Sequence, residues 1–263
     1  MSIEALSGLT QQRAAHWYTA TGEPAYGADL RRARKEKLYP SVTEILRMWP
    51  KPALERYKRQ QDLLAALTLP RLAGEGDDAF CARVIEDAGK HAGAAANFGT
   101  EIHTIFEAHL NHTAILAVTQ KALEWEPFIK SWVEQNVIDV HWTEESCVSI
   151  LGFGCRADAL FDGPGRSTIL CDVKTQGVKN GKPVFYDEWA MQLIANRVAA
   201  NASCKCMSIV IDSLKPGPPV VKVWDEEELA EAWDDFLACM QLWRRTKRYN
   251  PLTASCKLVC SEP

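Results

Sequence analysis

The chain has 263 residues, 47% of them hydrophobic, and a formal charge of −4, which excludes general disorder and leaves material for one large core. The negative total excludes indiscriminate binding to nucleic acid by bulk charge. There is no signal peptide and no apolar run long enough to span a membrane, and the nine cysteines are an odd count, so a cytoplasmic protein with reduced thiols and no membrane partner is expected.

In chain order, His16-Trp17-Tyr18 and Gly22-Glu23-Pro24 precede a basic segment. Residues 31–59 hold ten Lys or Arg against three acids, a local excess of +7. Tyr39, Trp49 and Tyr57 are interleaved with these cations. Phosphate contact and base stacking can come from one such segment, which makes Arg34, Lys35, Lys51, Arg56 and Tyr57 candidate DNA contacts. The alternative is a solvated basic helix face. Ser41 is placed to cap a helix, with Glu44 three residues later completing a capping box.

Helices are predicted over Leu63 to Leu69, Phe80 to Ala92, Phe98 to Leu110 and Thr119 to Glu134, with a loop at residues 74–78. In the third, Ile102, Ile105, Phe106 and Leu110 recur at helical spacing, which puts His103 and Glu107 one turn apart on a common face. From Ile138 the pattern turns to strands, through Val148-Ser149-Ile150. Glu144 and Glu145 stand just before that stretch.

The most informative segment follows. Residues 152–161 read as a strand, Asp162-Gly163-Pro164-Gly165 is turn chemistry, and residues 167–174 read as the partner strand of a hairpin. Asp172 and Lys174 are two apart and share a face. Asp158 on the neighbouring strand is placed to meet them across the ladder. Two carboxylates for a hard divalent cation, beside a lysine that orients or deprotonates a water, make a site for hydrolysing phosphate esters. After it comes a helix in which Glu188, Gln192 and Asn196 form a polar stripe. Strands are predicted at residues 208–211 and 220–223. The acidic run from Asp225 to Asp235 opens a helix in accord with its dipole, and Arg244, Arg245, Lys247 and Arg248 form a second basic cluster near its end.

An aspartate soon after a glycine on one strand, then Asp-x-Lys on the next, resembles the PD-(D/E)XK nuclease superfamily. Gly99 and His103 match the Gly-x-x-x-His helix of its RecB-like branch, and Gln192 matches a glutamine of that branch, although Asn196 stands where tyrosine is usual. The arrangement from residue 16 to about 200 is similar to phage-encoded exonucleases. The resemblance implies an α/β fold, with a mixed central sheet flanked by helices and a mainly helical N-terminal half. One nuclease domain over 1–263 is expected: 1–135 with the basic segment and the histidine helix, 136–225 as the catalytic sheet core, 226–263 as a last helix and tail.

The same resemblance implies that His103, Asp158, Asp172 and the carbonyl of Val173 hold Mg²⁺ or Mn²⁺. Asp158, Asp172, Lys174 and Gln192 are then the catalytic residues, with Glu107 and Glu144 as supporting side chains. The expected activity is that of a divalent-metal-dependent deoxyribonuclease, an exonuclease on single strands or duplex ends, encoded by a phage or prophage and serving DNA recombination or repair. A structure-specific or restriction-type endonuclease and a non-catalytic DNA-binding recombination module are the alternatives. No iron-sulfur cluster is expected, because Cys81, Cys204-Lys205-Cys206, Cys256 and Cys260 lack the spacings one needs. Cys155 and Cys171 are expected to be small buried packing residues.

Overall fold

A computed structural model describes residues 16–178 and 181–253. It opens with a two-stranded ribbon, β1 (Trp17–Tyr18) antiparallel to β2 (Tyr39–Pro40), and helix α1 (Leu30–Glu36) lies between the two in sequence. Helices α2 (Val42–Ile45), α3 (Pro52–Thr68), α4 (Asp77–Leu110) and α5 (Glu126–Asn136) follow. The main sheet is ordered as the chain runs: β3 (Asp139–Ser149), β4 (Phe153–Asp162), β5 (Thr168–Gln176), β6 (Lys205–Asp212) and β7 (Val220–Trp224). Helix α6 (Asp187–Ala199) lies between β5 and β6 in sequence, and α7 (Glu226–Lys247) follows β7.

All neighbouring strands are antiparallel except β5 and β6, which run parallel. A parallel step needs a crossover, and α6 supplies it. The mixed sheet, its flanking helices and the mainly helical first half agree with the expected fold class. Among the described residues no helix is long and apolar enough to cross a membrane.

Two cores lie on the two faces of the sheet. On one, Phe153, Cys155, Ala157 and Leu170 pack with Trp189 and Leu193 of α6 and Phe236 and Trp243 of α7. On the other, Ala159, Phe161, Ile169, Cys171 and Val173 pack with Ile102, Ile105 and Phe106 of α4 and Ile129 of α5. Residues 153, 155 and 157 thus face one core, whereas 159 and 161, in the same odd register, face the other. A strand alternates its faces residue by residue, so β4 changes faces at Asp158. β3 does the same between Trp142 and Cys147, which both pack toward the first core. Within that stretch Glu144 has a left-handed backbone, φ +50°.

Several element boundaries differ from the sequence expectation. The two helices predicted over residues 80–110 are one helix of 34 residues. Its first half packs on α3 through Val84 and Ala88 against Ala65, a small contact. The Ala-rich stretch between residues 92 and 97 therefore favours helix by propensity without an apolar stripe to advertise it. Residues 119–134 divide into a 3₁₀ turn, Ala122–Trp125, and α5, whose start is set by a proline in its first turn. The hydroxyl of Ser41 does accept from the Glu44 N–H at 3.0 Å. Glu44 does not complete the box: its carboxylate, buried, pairs with Arg47 at 2.9 Å and accepts from Trp243 Nε1. The complete capping box is at α7, between Asp225 and Glu228.

Candidate metal centre and the lysine beside it

The long helix α4 meets β5 closely at a glycine. A Cβ on Gly99 would stand 3.1 Å from Thr175 Oγ1 on β5, tighter than ordinary packing allows. One turn later His103 stands over the point where β4 and β5 separate. Its Nδ1 is 3.6 Å from Asp158 Oδ1. Glu107, partly buried, is one further turn along α4.

That separation corrects one expectation about the hairpin. The β4–β5 ladder runs only from Asp162–Thr168 to Ala159–Cys171. At Asp158 the strands part, and its carboxylate occupies the place of the next rung: Oδ2 accepts from the Val173 N–H at 2.6 Å. Asp158 therefore lies in a notch between strands and does not face Asp172 across a ladder. The notch opens the sheet so that His103, from the α4 side, and the Asp172 face, from the α6 side, approach one another.

Glu144 lies across from Asp158, between the paired residues Thr143–Ala159 and Glu145–Ala157. His103, Glu144 and Asp158 each offer one ligand atom, and the three atoms lie within 4.8 Å of one another. An imidazole and two carboxylates at that spacing suit a divalent cation that accepts oxygen and nitrogen. The sequence placed Glu144 in support of the site, whereas the geometry puts it in this group. Asp172 is not a member of it.

Asp172 belongs to a second group. It is 3% exposed. Its Oδ1 accepts from Lys174 Nζ and from Gln192 Nε2, each at 2.9 Å, and Lys174 Nζ also donates to Gln192 Oε1 at 3.0 Å. Oδ2 lies 2.7 Å from Lys174 Nζ, but outside hydrogen-bonding direction, and makes no hydrogen bond. Burial pushes the Asp172 carboxyl above the ordinary aspartate range, the Lys174 ammonium pulls it back, and the nearby Asp158 carboxylate adds to the rise. Asp172 Oδ2 is thus ion-paired with Lys174 while its hydrogen-bonding capacity is unused.

The candidate DNA contacts fare unequally. Arg34 Nη2 donates to the Lys247 carbonyl at the end of α7, 2.7 Å away. Lys35 is exposed on α1. Lys51 stands 3.9 Å from Glu188, one turn before Gln192 on α6, and Arg56 and Tyr57 are exposed on α3. In the predicted polar stripe of α6, Asn196 is buried. Cys155 and Cys171 are buried as expected, while Cys256 and Cys260 lie outside the described residues.

No family model and no curated protein sequence matches the chain. Among solved structures it resembles a protein designated SSO0001, at 15% identity and TM-score 0.31, over 72% of this chain and 87% of that one. It also resembles an alkaline exonuclease, LHK-Exo from Laribacter hongkongensis, at 16% identity and TM-score 0.34, over 74% of this chain and 95% of that one. The same exonuclease in complex with dAMP matches at 16% identity and TM-score 0.34, over 74% and 94%.

Proposed function

We propose that the protein is a divalent-metal-dependent deoxyribonuclease that degrades DNA from strand ends. The observation that supports this most is the meeting, at one notch in the sheet, of the His103–Glu144–Asp158 group with the Asp172–Lys174–Gln192 group. Three carboxylates, Glu144, Asp158 and Asp172, gather there beside Arg156, His103 and Lys174, a partly buried acidic group that can take up a divalent cation. His103, Glu144 and Asp158 would hold Mg²⁺ or Mn²⁺, with Asp172 Oδ2 adjoining; the Val173 carbonyl is added on the strength of the family resemblance. Such a cation, when bound, supplies Lewis-acid polarisation of the scissile phosphate.

The protein's own groups do the rest. Gln192 fixes the Lys174 ammonium through Oε1 and the Asp172 carboxylate through Nε2, so neither is free to turn away. Lys174 then holds the attacking water by hydrogen bond and offers positive charge where negative charge develops. Lys51, Arg56 and Tyr57 give the strand a route toward α6. Action from ends is the expectation carried by the resemblance to RecB-like exonucleases.

The test uses labelled linear single strands, linear duplexes and circular single strands, each with Mn²⁺ and with EDTA. Linear substrates are degraded with Mn²⁺, the circle survives, and EDTA stops the reaction. Cleavage of the circle replaces this reading with an endonuclease. Tight binding without any cleavage replaces it with a non-catalytic module.

A further inference from the structure

Glu144 has an unusual backbone for a strand residue. A left-handed conformation at a non-glycine residue is strained and persists only where neighbours over-determine it. Arg156 is such a neighbour. Its Nε donates to the Glu144 carbonyl oxygen at 3.0 Å and stands 2.8 Å from Glu144 Oε2. One guanidinium nitrogen therefore grips both the main chain and the carboxylate of the same residue. Arg156 pairs with Ser146 in the ladder, two residues from Glu144, so the reach is diagonal across the face-change of the hairpin. Both side chains are mostly buried, at 26% and 13% exposure. Screening by water is weak at such burial, and the pair is not an incidental surface contact.

We infer that Arg156 is a positioning residue for the metal centre: it pins Glu144 in its left-handed conformation, from which the carboxylate joins His103 and Asp158. Without that grip β3 relaxes toward ordinary extended backbone, in which successive side chains point to opposite faces, and the Glu144 carboxylate turns out of the notch. This rests on the reading of the three-residue group as a cation site. Arg156 cannot itself be a ligand, and its positive charge alone disfavours a cation nearby, so whatever affinity it adds comes through the placing of Glu144.

Isothermal titration of the purified protein with MnCl₂ alone, without DNA, tests it. Arg156→Gln should weaken Mn²⁺ binding about ten- to a hundredfold, the scale expected when support around a metal ligand is removed. In a Glu144→Gln background, adding Arg156→Gln should no longer weaken Mn²⁺ binding, since the carboxylate through which Arg156 acts is already gone and loss of the guanidinium charge only favours the ion. Arg156→Lys keeps the charge but loses the planar fork, and should fall between wild type and Arg156→Gln; it also serves if Arg156→Gln does not fold. An arginine that merely supports the hairpin would lower the melting temperature in both backgrounds and leave Mn²⁺ affinity unchanged. Equal Mn²⁺ affinity in wild type and either Arg156 variant overturns the inference, as does an undiminished effect in the Glu144→Gln background. If wild type itself binds no Mn²⁺, it is the metal-site reading of the previous section that fails.

Discussion

Asp172 shows what a single side chain contributes here and at what cost. Folded Asp172 holds its proton more tightly than an unfolded aspartate, because burial outweighs the help of Lys174. The folded state then binds more protons than the unfolded one between the ordinary aspartate value near 3.9 and the raised value, and stability falls as pH rises through that window. Asparagine keeps the shape and the contact with Gln192 without the charge. Metal-free Asp172→Asn should therefore melt above wild type at neutral pH, with the gap closing below about pH 4, and should have no detectable nuclease activity. A lower melting temperature for the variant at neutral pH would show that the lysine outweighs burial after all. Retained cleavage would remove Asp172 from the chemistry.

Among the elements, α4 has the clearest geometric constraint, and Gly99 sets it. A valine there overpacks against Thr175 by an amount that typically costs about 1–3 kcal/mol, and it lifts His103 from the notch. Gly99→Val should raise the Mn²⁺ concentration giving half-maximal activity, and Thr175→Ala in the same chain should restore much of it, because the atom met first is Thr175 Oγ1. No restoration would mean that the helix is held off by something other than this contact. Helix α3 and the end of α7 divide the basic residues in a similar way. Neutralising Lys51 and Arg56 should flatten the salt dependence of single-strand binding by about 0.7 in slope for each phosphate deprived of its cation. Arg34→Ala should lower the melting temperature, since its guanidinium bonds the Lys247 carbonyl, and should flatten the slope less than the Lys51 and Arg56 changes, that bond holding it against the end of α7. Equal slopes for all three variants would leave α3 a solvated surface. The sequence made legible whatever depends on local period: Asp172 and Lys174 on one strand face, the His103 turn, Gln192 on its helix. It hid what depends on a break in period. Glu144 and Glu145 look like solvated neighbours on a strand edge until the left-handed backbone at Glu144 turns one of them toward Asp158, and the Ala-rich middle of α4 looks like a gap between helices because residues 93–97 are exposed.

Across the whole molecule, the hairpin of β3 and β4 joins the two cores, its tip packed toward α6 and α7 and its base toward α4 and α5. Neither core is closed without it, so the chain should unfold in one transition. Phe153→Leu in the first core and Phe161→Leu in the second should each lower the same single melting transition, by about 1–2 kcal/mol. A transition that splits in either variant would mean that the cores fold independently. The face-change at Glu144 and Asp158 has a thermodynamic corollary. An ion that bridges these two residues ties together the strands that join both cores, and it binds the folded chain alone. Its binding energy is then added in full to the stability of the entire molecule: Mn²⁺ at a hundred times its dissociation constant should add about 2.7 kcal/mol, or roughly 5–10 °C at 2–4 °C per kcal/mol for a chain of this size. Calorimetric scans with and without the ion would thus report occupancy of the notch in a protein that has never met DNA.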